Sequence, residues 1–219
     1  MDLFLVFFVI YCVVTILFLR NRISKLNNSN DLKFVEKIVS NDPNFSIDMF
    51  KEHAKECIDE VFIAYANGNI NRLMGLESTE LFNIHKSQIE SGISNGSYET
   101  LLFQKFNNVN IVDYRVENNY SIISCKIWVN TRNVRVSGST FEVVSYDESS
   151  TMHPMYFEFI RSINVKSNNE YDFALKNCPN CGAVIEINAQ GNCIYCNSTL
   201  LNGEHSWVLN RIDDLDYNK

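Results

Sequence analysis

The chain opens with seventeen uncharged, almost wholly apolar positions, Leu3 to Leu19. As a helix at 1.5 Å per residue they span roughly 25 Å, near the short limit for crossing a hydrocarbon core about 30 Å thick. Arg20 and Arg22 follow at once and extend the reach by snorkelling. A cleaved signal peptide carries positive charge before its apolar run and small residues after it. Here Asp2 precedes the run and Arg20-Asn21-Arg22 follow it, so residues 1–20 read as a single-pass transmembrane anchor. Arg20, Arg22 and Lys25 stand after the run and no Lys or Arg stands before it. The positive-inside rule then predicts a cell-membrane protein with its N-terminus outside and its C-terminal domains cytoplasmic.

Residues 21–45 read as a tether, polar and Asn-rich through Asn30, with a helical turn or two over Lys33 to Val39 ended before Pro43. From Ser46 the apolar period is helical: Ile47, Phe50, Ala54, Ile58, Val61 and Tyr65 recur at three and four residues. Ser46 suits an N-cap and Gly68 a stop. A short piece through Ile70, Leu73 and Met74 follows. Ser78 then caps a helix that carries Leu81, Phe82, His85 and Ile89, with Gly92 near its end. After Gly96 the period changes to two. Val112, Tyr114 and Val116 alternate, and Asn118-Asn119 suits a two-residue turn. Ile123, Cys125, Ile127 and Val129 share one face, against Ser124, Lys126 and Trp128 on the other. Further strands are expected near Val134–Ser145 and Met155–Ile163. Two to three helices followed by a four-stranded antiparallel sheet is an α+β order. A sheet curved round the long first helix makes a cone with a mouth.

The local words carry a resemblance. Tyr65-Ala66-Asn67-Gly68-Asn69-Ile70-Asn71-Arg72-Leu73, then Ser78-Thr79-Glu80-Leu81-Phe82, resembles the opening of Tim44-like domains, which have a nuclear-transport-factor-2-like cone. Phe157-Glu158-Phe159-Ile160-Arg161-Ser162 is similar to that family's last-strand motif, with Tyr156 and Phe157 where its Trp is expected. The resemblance implies a membrane-associated domain over about 46–165, with a pocket at the cone mouth used for lipid or protein contact. The spanning segment and a cysteine-rich end depart from the mitochondrial members. Both fit a bacterial membrane protein better than a protein-import role.

That cysteine-rich end carries the plainest chemistry. Cys178-Pro-Asn-Cys181 and Cys193-Ile-Tyr-Cys196 are two C-x₂-C pairs. Two intervening residues let both thiols of a pair meet one metal from a tight turn. Two such turns supply a tetrahedron of sulfur at about 2.3 Å. Gly182 and Asn197 follow the pairs, where a knuckle needs positive φ. With strands at Val184–Ile187 and Ser206–Ile212, and Trp207 to cover a small core, residues 173–212 read as a zinc ribbon. The expected cofactor is one structural Zn²⁺ per chain on Cys178, Cys181, Cys193 and Cys196; iron has similar ligand preferences. Residues 213–219 are left as an acidic tail. Cys57 and Cys125 fall on apolar faces and read as buried small hydrophobes.

Composition and charge narrow the function. With 46% hydrophobic and 21% charged residues, the 219-residue chain is an ordinary globular protein. Its net charge is −7. Residues 28–219 carry 16 basic and 25 acidic side chains, a net of −9. Such a body lacks the basic face that nucleic acid requires, and it is repelled by an anionic leaflet, so membrane contact falls to the anchor. No phosphate loop, dinucleotide fingerprint, zinc-protease helix or nucleophile elbow occurs. His53 with Glu56, and His85, His153 and His205, read as structural or solvated. A cone enzyme would need a buried carboxylate with a tyrosine, and Glu158, Tyr114 and Tyr156 are the candidates. The expectation is a non-enzymatic membrane protein whose cone and ribbon bind a partner protein as a scaffold. The alternative is a ligand-binding or enzymatic cone with a polar pocket, braced by the ribbon. The cavity discriminates between them.

Overall fold

The computed structural model describes residues 31–167, 178, 180–184, 188, 192–198 and 203–214. The anchor read at 1–20 lies outside these residues. No helix among the described residues is long and apolar enough to cross a membrane.

Among the described residues, four helices precede a curled antiparallel sheet. Helix α1 covers 31–41. Helix α2 runs Ile47–Ala66, with Ser46 at its N-cap accepting from the Met49 N–H at 3.4 Å. The short α3 is Ile70–Leu73, and α4 is Thr79–Asn95. Ser78 caps α4 and accepts from the Leu81 N–H at 3.3 Å. Gly96, in the left-handed region, ends it. The helix therefore runs through Gly92, whose missing side chain lets Tyr98 pack against its backbone.

The strands are β1 (Ser97–Glu117), β2 (Tyr120–Ser137), β3 (Val143–Tyr146), β4 (Thr151–Ser162) and β5 (Val208–Asp214). The sheet order is β1-β2-β4-β5, with β3 beside the far end of β2. Asn118 and Asn119 both take positive φ in the β1–β2 turn, which matches the twist of the flanking strands. Register shifts at Phe103/Lys105, Phe106/Val109 and Ile111/Asp113 interrupt β1; extra residues of this kind bend a strand and raise its twist. The last of them takes Val112 out of the expected alternation, whereas Tyr114 and Val116 stay in unbroken register. Tyr114 is buried with Val109 and Ile111, while Val112 and Val116 are exposed.

The core lies inside the curl. Ile123, Cys125, Ile127 and Val129 of β2, with Met155, Phe157 and Phe159 of β4, are all buried. They face Phe50, Ala54, Ile58 and Val61 of α2, and Phe50 meets Phe159 edge-on at 5.7 Å. Cys57 and Cys125 are buried here, and burial pushes the Cys57 thiol up to about 12.

Two expected boundaries shift. Residues 31–45 are not tether. Ile38 and Phe45 join the core, Asp31 pairs with Lys51 and accepts from the Ile111 N–H at 2.9 Å, and Asp42 meets Arg161 at 2.6 Å with both side chains buried. A four-strand sheet and a ribbon ending at 212 are also corrected. The segment 206–214 belongs to the cone, since β5 pairs with β4 from Ile160↔Val208 to Met155↔Asp214. Trp207 packs on Phe50 at 5.4 Å rather than over a ribbon core. Asp213 is likewise strand rather than tail. The cysteine segment is thus an insertion between the last two strands. Its ends are stapled where the Ser162 N–H donates to the Gly203 carbonyl at 3.0 Å. Gly203 has φ +69°, and a Cβ there would stand 2.7 Å from the Ile160 oxygen, so only glycine closes this junction.

Candidate functional site

Each cysteine pair folds into the same turn. The Cys178 N–H donates to the Ala183 carbonyl at 2.7 Å, and the Cys193 N–H to that of Ser198 at 2.8 Å. The Gly182 N–H returns to the Cys178 carbonyl at 2.7 Å, and the Asn197 N–H to that of Cys193 at 2.8 Å. Gly182 and Asn197 carry the positive φ values, 73° and 59°. Two equivalent turns therefore aim four sulfurs at one point.

The four Sγ atoms lie within 4.8 Å of one another. Cys178 and Cys196 are 3.6 Å apart, Cys181 and Cys193 3.8 Å. A tetrahedron with 2.3 Å metal–sulfur bonds has edges of about 3.8 Å, so the cluster fits one ion without rearrangement. These separations are also too long for disulfides. Ser198, which sequence reasoning passed over, stands 3.4 Å from the Cys178 sulfur and 3.1 Å from that of Cys196. Its hydroxyl is the main influence drawing Cys178 below the ordinary thiol range and Cys196 down to about 5. Thiolate is the form that binds metal. Four sulfur ligands close the coordination sphere, so an ion here braces the turns and leaves no position for substrate.

A second site lies in the cone. A cavity of about 300 Å³ is lined by Val61, Phe62 and Tyr65 of α2, His85 and Gln88 of α4, and residues of β1, β2, β4 and β5. Phe62 borders this space and is only partly buried. His85 is the surprise. Its Nδ1 lies 2.5 Å from Oε1 of Glu77, whose side chain is completely buried. Burial pushes the Glu77 carboxyl up, partly offset by His85. Its Oε2 has no hydrogen-bond partner. Beyond the Glu/His identities at this spacing, nothing local in the sequence marks the pair. Glu77 is buried because its backbone runs beside β5: the Ser78 N–H donates to the Leu209 carbonyl, and the Leu209 N–H to that of Leu76, both at 2.8 Å.

The other singled-out residues do not converge. Glu158 faces outward between Arg115 at 2.6 Å and Asn210 at 2.7 Å. Tyr156 is also on the outer face, with Lys126 5.6 Å from its ring. Tyr114 points inward, its hydroxyl 3.3 Å from Ser121 Oγ. No acid–base group forms from these three. His53 is buried, its Nε2 2.7 Å from the Trp207 carbonyl, and burial holds its pKa below the usual value. His153 opens β4 opposite Val129, and His205 lies in the turn before β5.

A curled sheet closed by helices, with a pocket between them, defines a cone-type domain. The model of the Tim44-like domain family matches residues 33–168, more than half of the chain, and the protein belongs to that family. The match begins within α1, in keeping with the packing of Ile38 into the core. No curated protein matches the chain.

Proposed function

We propose that this protein is a non-enzymatic binding platform held at a membrane. The anchor is the apolar run 3–19 with Arg20, Arg22 and Lys25 behind it, which favours a single pass, an outside N-terminus and a cytoplasmic cone. The ion on the four thiols is structural zinc, since closed four-sulfur sites with this spacing are its commonest use. The partner is a protein rather than nucleic acid, given the net charge of −7. A bacterial origin fits the anchor and the cysteine insertion.

One observation carries the platform reading. The metal turns, which need no large side chains for folding, present three exposed ones: Val184 at 68%, Ile194 at 49% and Tyr195 at 60% relative exposure. On so small a module, exposed apolar side chains offer a surface for protein contact. The insertion is stapled to the cone at Ser162 and Gly203, so contact made there is transmitted to the sheet. A photo-cross-linking residue at Tyr195 in cells making the full chain tests this. Enriched capture of one protein from Tyr195, absent from the exposed Glu99, is expected. Equal labelling from both positions would remove the basis for a platform.

The cavity favours a second reading, that of a ligand-binding cone. The two are compatible, because the cavity and the metal turns are built from different residues.

A further inference from the structure

Strand β3 pairs with β2 alone among the described residues. All four of its residues are exposed, and three carry large apolar side chains: Val143 at 46%, Val144 at 58% and Tyr146 at 59% relative exposure. The Asp147 N–H donates to the Asn133 carbonyl at 3.0 Å. Successive residues of a strand turn their N–H and C=O groups to opposite edges, so those of Tyr146 point away from β2. A bare edge with apolar side chains is a template for a further strand.

This edge is held in place. In the turn before it, the Ser137 N–H donates to the Glu142 carbonyl and the Gly138 N–H to that of Gly96, both at 2.9 Å. The Phe141 ring packs against the core, so close to Gly68 that no Cβ would fit there. At the other end the Arg132 guanidinium lies 5.1 Å from the centroid of the Tyr146 ring. The strand is fixed to the cone at both ends before any partner arrives, which lowers the ordering cost of binding.

Charge decides what the edge accepts. Glu142 stands before the strand, with Asp147 and Glu148 after it, all exposed. None of the three is in an ion pair among the described residues; Asp147 accepts from the Asn133 amide at 3.3 Å. Of the arginines on β2, Arg135 pairs with Glu99 at 2.7 Å and Arg132 is stacked on Tyr146. That leaves one uncompensated positive charge beside three negative ones. The strand is apolar in its middle and acidic at both ends. A second copy of β3 is the wrong partner: in the central antiparallel register Glu142 would face Asp147 twice, and like charges directly opposite destabilise a pair. The complement is a strand with positive charge at both ends.

We propose that the free edge of β3 receives an extended segment of a partner protein, β-branched at its centre with Lys or Arg on both sides. Main-chain hydrogen bonds along Val143–Tyr146 supply affinity, and the flanking carboxylates select the sequence. β-Branched residues suit the centre because they pair well across strands with valine and tyrosine. This surface shares no residue with Val184, Ile194 and Tyr195, so it and the contact tested at Tyr195 stand or fall separately.

The experiment uses the full chain in phosphatidylcholine nanodiscs, which lack the anionic lipid that basic peptides bind. Three fluorescein-labelled peptides are compared by anisotropy: KRVTVRK, the charge-reversed EDVTVDE, and KRVTVRK N-methylated at alternate residues, which cannot form the edge hydrogen bonds. Saturable binding of KRVTVRK is expected, at least about tenfold tighter than that of either other peptide. In hydrogen exchange it should slow the Tyr146 amide and leave the β5 amides unchanged. Glu142→Gln with Asp147→Asn and Glu148→Gln, all on the surface, should weaken binding about tenfold, the worth of a few exposed ion pairs. Val143→Lys, which puts a like charge on the edge, should weaken it by about as much. A lack of saturable KRVTVRK binding overturns the proposal, as does equal binding of the N-methylated or charge-reversed peptide. So does binding that leaves the Tyr146 amide unmoved or is indifferent to the triple variant. Self-association of the chain that Val143→Lys abolishes would make the occupant a second copy, and overturns it too.

Discussion

Replacing Trp207 by alanine removes the side chain that ties the returning strand to the cone. Trp207 is 7% exposed and stands edge-on to Phe50 at 5.4 Å. The Arg161 guanidinium lies 4.4 Å from its ring centroid, itself buried against Asp42. Core Trp→Ala changes cost about 3–5 kcal/mol, and a desolvated cation–π contact adds about 2 kcal/mol. Because the two losses share one ring they do not sum, and about 4–5 kcal/mol is expected. Against a total stability of about 5–15 kcal/mol, that is a large fraction. The assay is urea unfolding of the chain from Asp31 onward, followed by circular dichroism and by the fluorescence of Trp128 on the outer face of β2. Trp207→Phe keeps a ring against Phe50 and should lose about half as much. A Trp207→Ala loss below about 1 kcal/mol would refute the reasoning. It would mean that Trp207 packs within the cysteine module and that β5 is not a strand of the cone.

Elemental analysis should find one zinc per chain, and Cys193→Ser should abolish it, because three thiolates and a hydroxyl make a poor site. In hydrogen exchange, chelation should raise the rate first in 178–198 and then at β5 amides, before β1 or β2; β5 rates unmoved by chelation would separate the module from the cone. Ile58→Ala, at 0% exposure, should cost about 2–5 kcal/mol, and Phe62→Ala clearly less, since one side of Phe62 already faces the cavity; urea midpoints of the two variants decide. Burial works against ionisation of Asp42, yet the Ser167 hydroxyl and Arg161 together hold its carboxyl below the usual range. Between its native and ordinary pKa the unfolded chain binds more protons than the native one. Stability from this group is therefore present above about pH 4 and is lost as pH falls through the native value. Asp42→Asn should flatten that acid limb, as read from urea midpoints between pH 5 and pH 3. A cysteine placed on the exposed face of α2 should resist impermeant reagents in intact cells, and labelling from outside would reverse the topology proposed from Arg20, Arg22 and Lys25.

Embedding the cysteine module inside the cone's strand order alters what an ion held there could do. A ribbon appended after the last strand could melt without consequence for the domain. Here the chain leaves the sheet at Ser162 and must return at Gly203 to lay down β5. The ion pair of Arg161 with Asp42, and the bonds of Asp42 to Ser167, fasten the outgoing strand to the loop after α1. An ordered module shortens the effective loop between β4 and β5, which lowers the entropy lost on pairing them.

Local chemistry was legible along the chain. Ser46 and Ser78 were readable as caps because a side-chain oxygen near a helix start acts within three residues. The Asn118-Asn119 turn followed from tolerance of positive φ, and the buried faces of β2 and β4 from strict period two. The four thiols were readable because each pair needs only its own tight turn to aim two sulfurs. The resemblance to Tim44-like domains rested on such short words, and the family match bears it out. What the sequence could not supply were choices made between distant segments. Period and composition describe Ser206–Ile212 as a strand equally well beside a metal turn or beside β4; only the docking of Trp207 on Phe50 selects the cone. Residues 31–45 look like polar linker because Asp31 and Asp42 are charged, and their burial makes sense only once Lys51 and Arg161 are beside them. Glu77 and His85 are eight positions apart and unremarkable in line. They became a buried pair because β5, arriving from more than a hundred residues away, covers Glu77 and shuts out water. Turns, caps and alternation are decided by neighbours in sequence. Desolvation is decided by whatever finally packs on top.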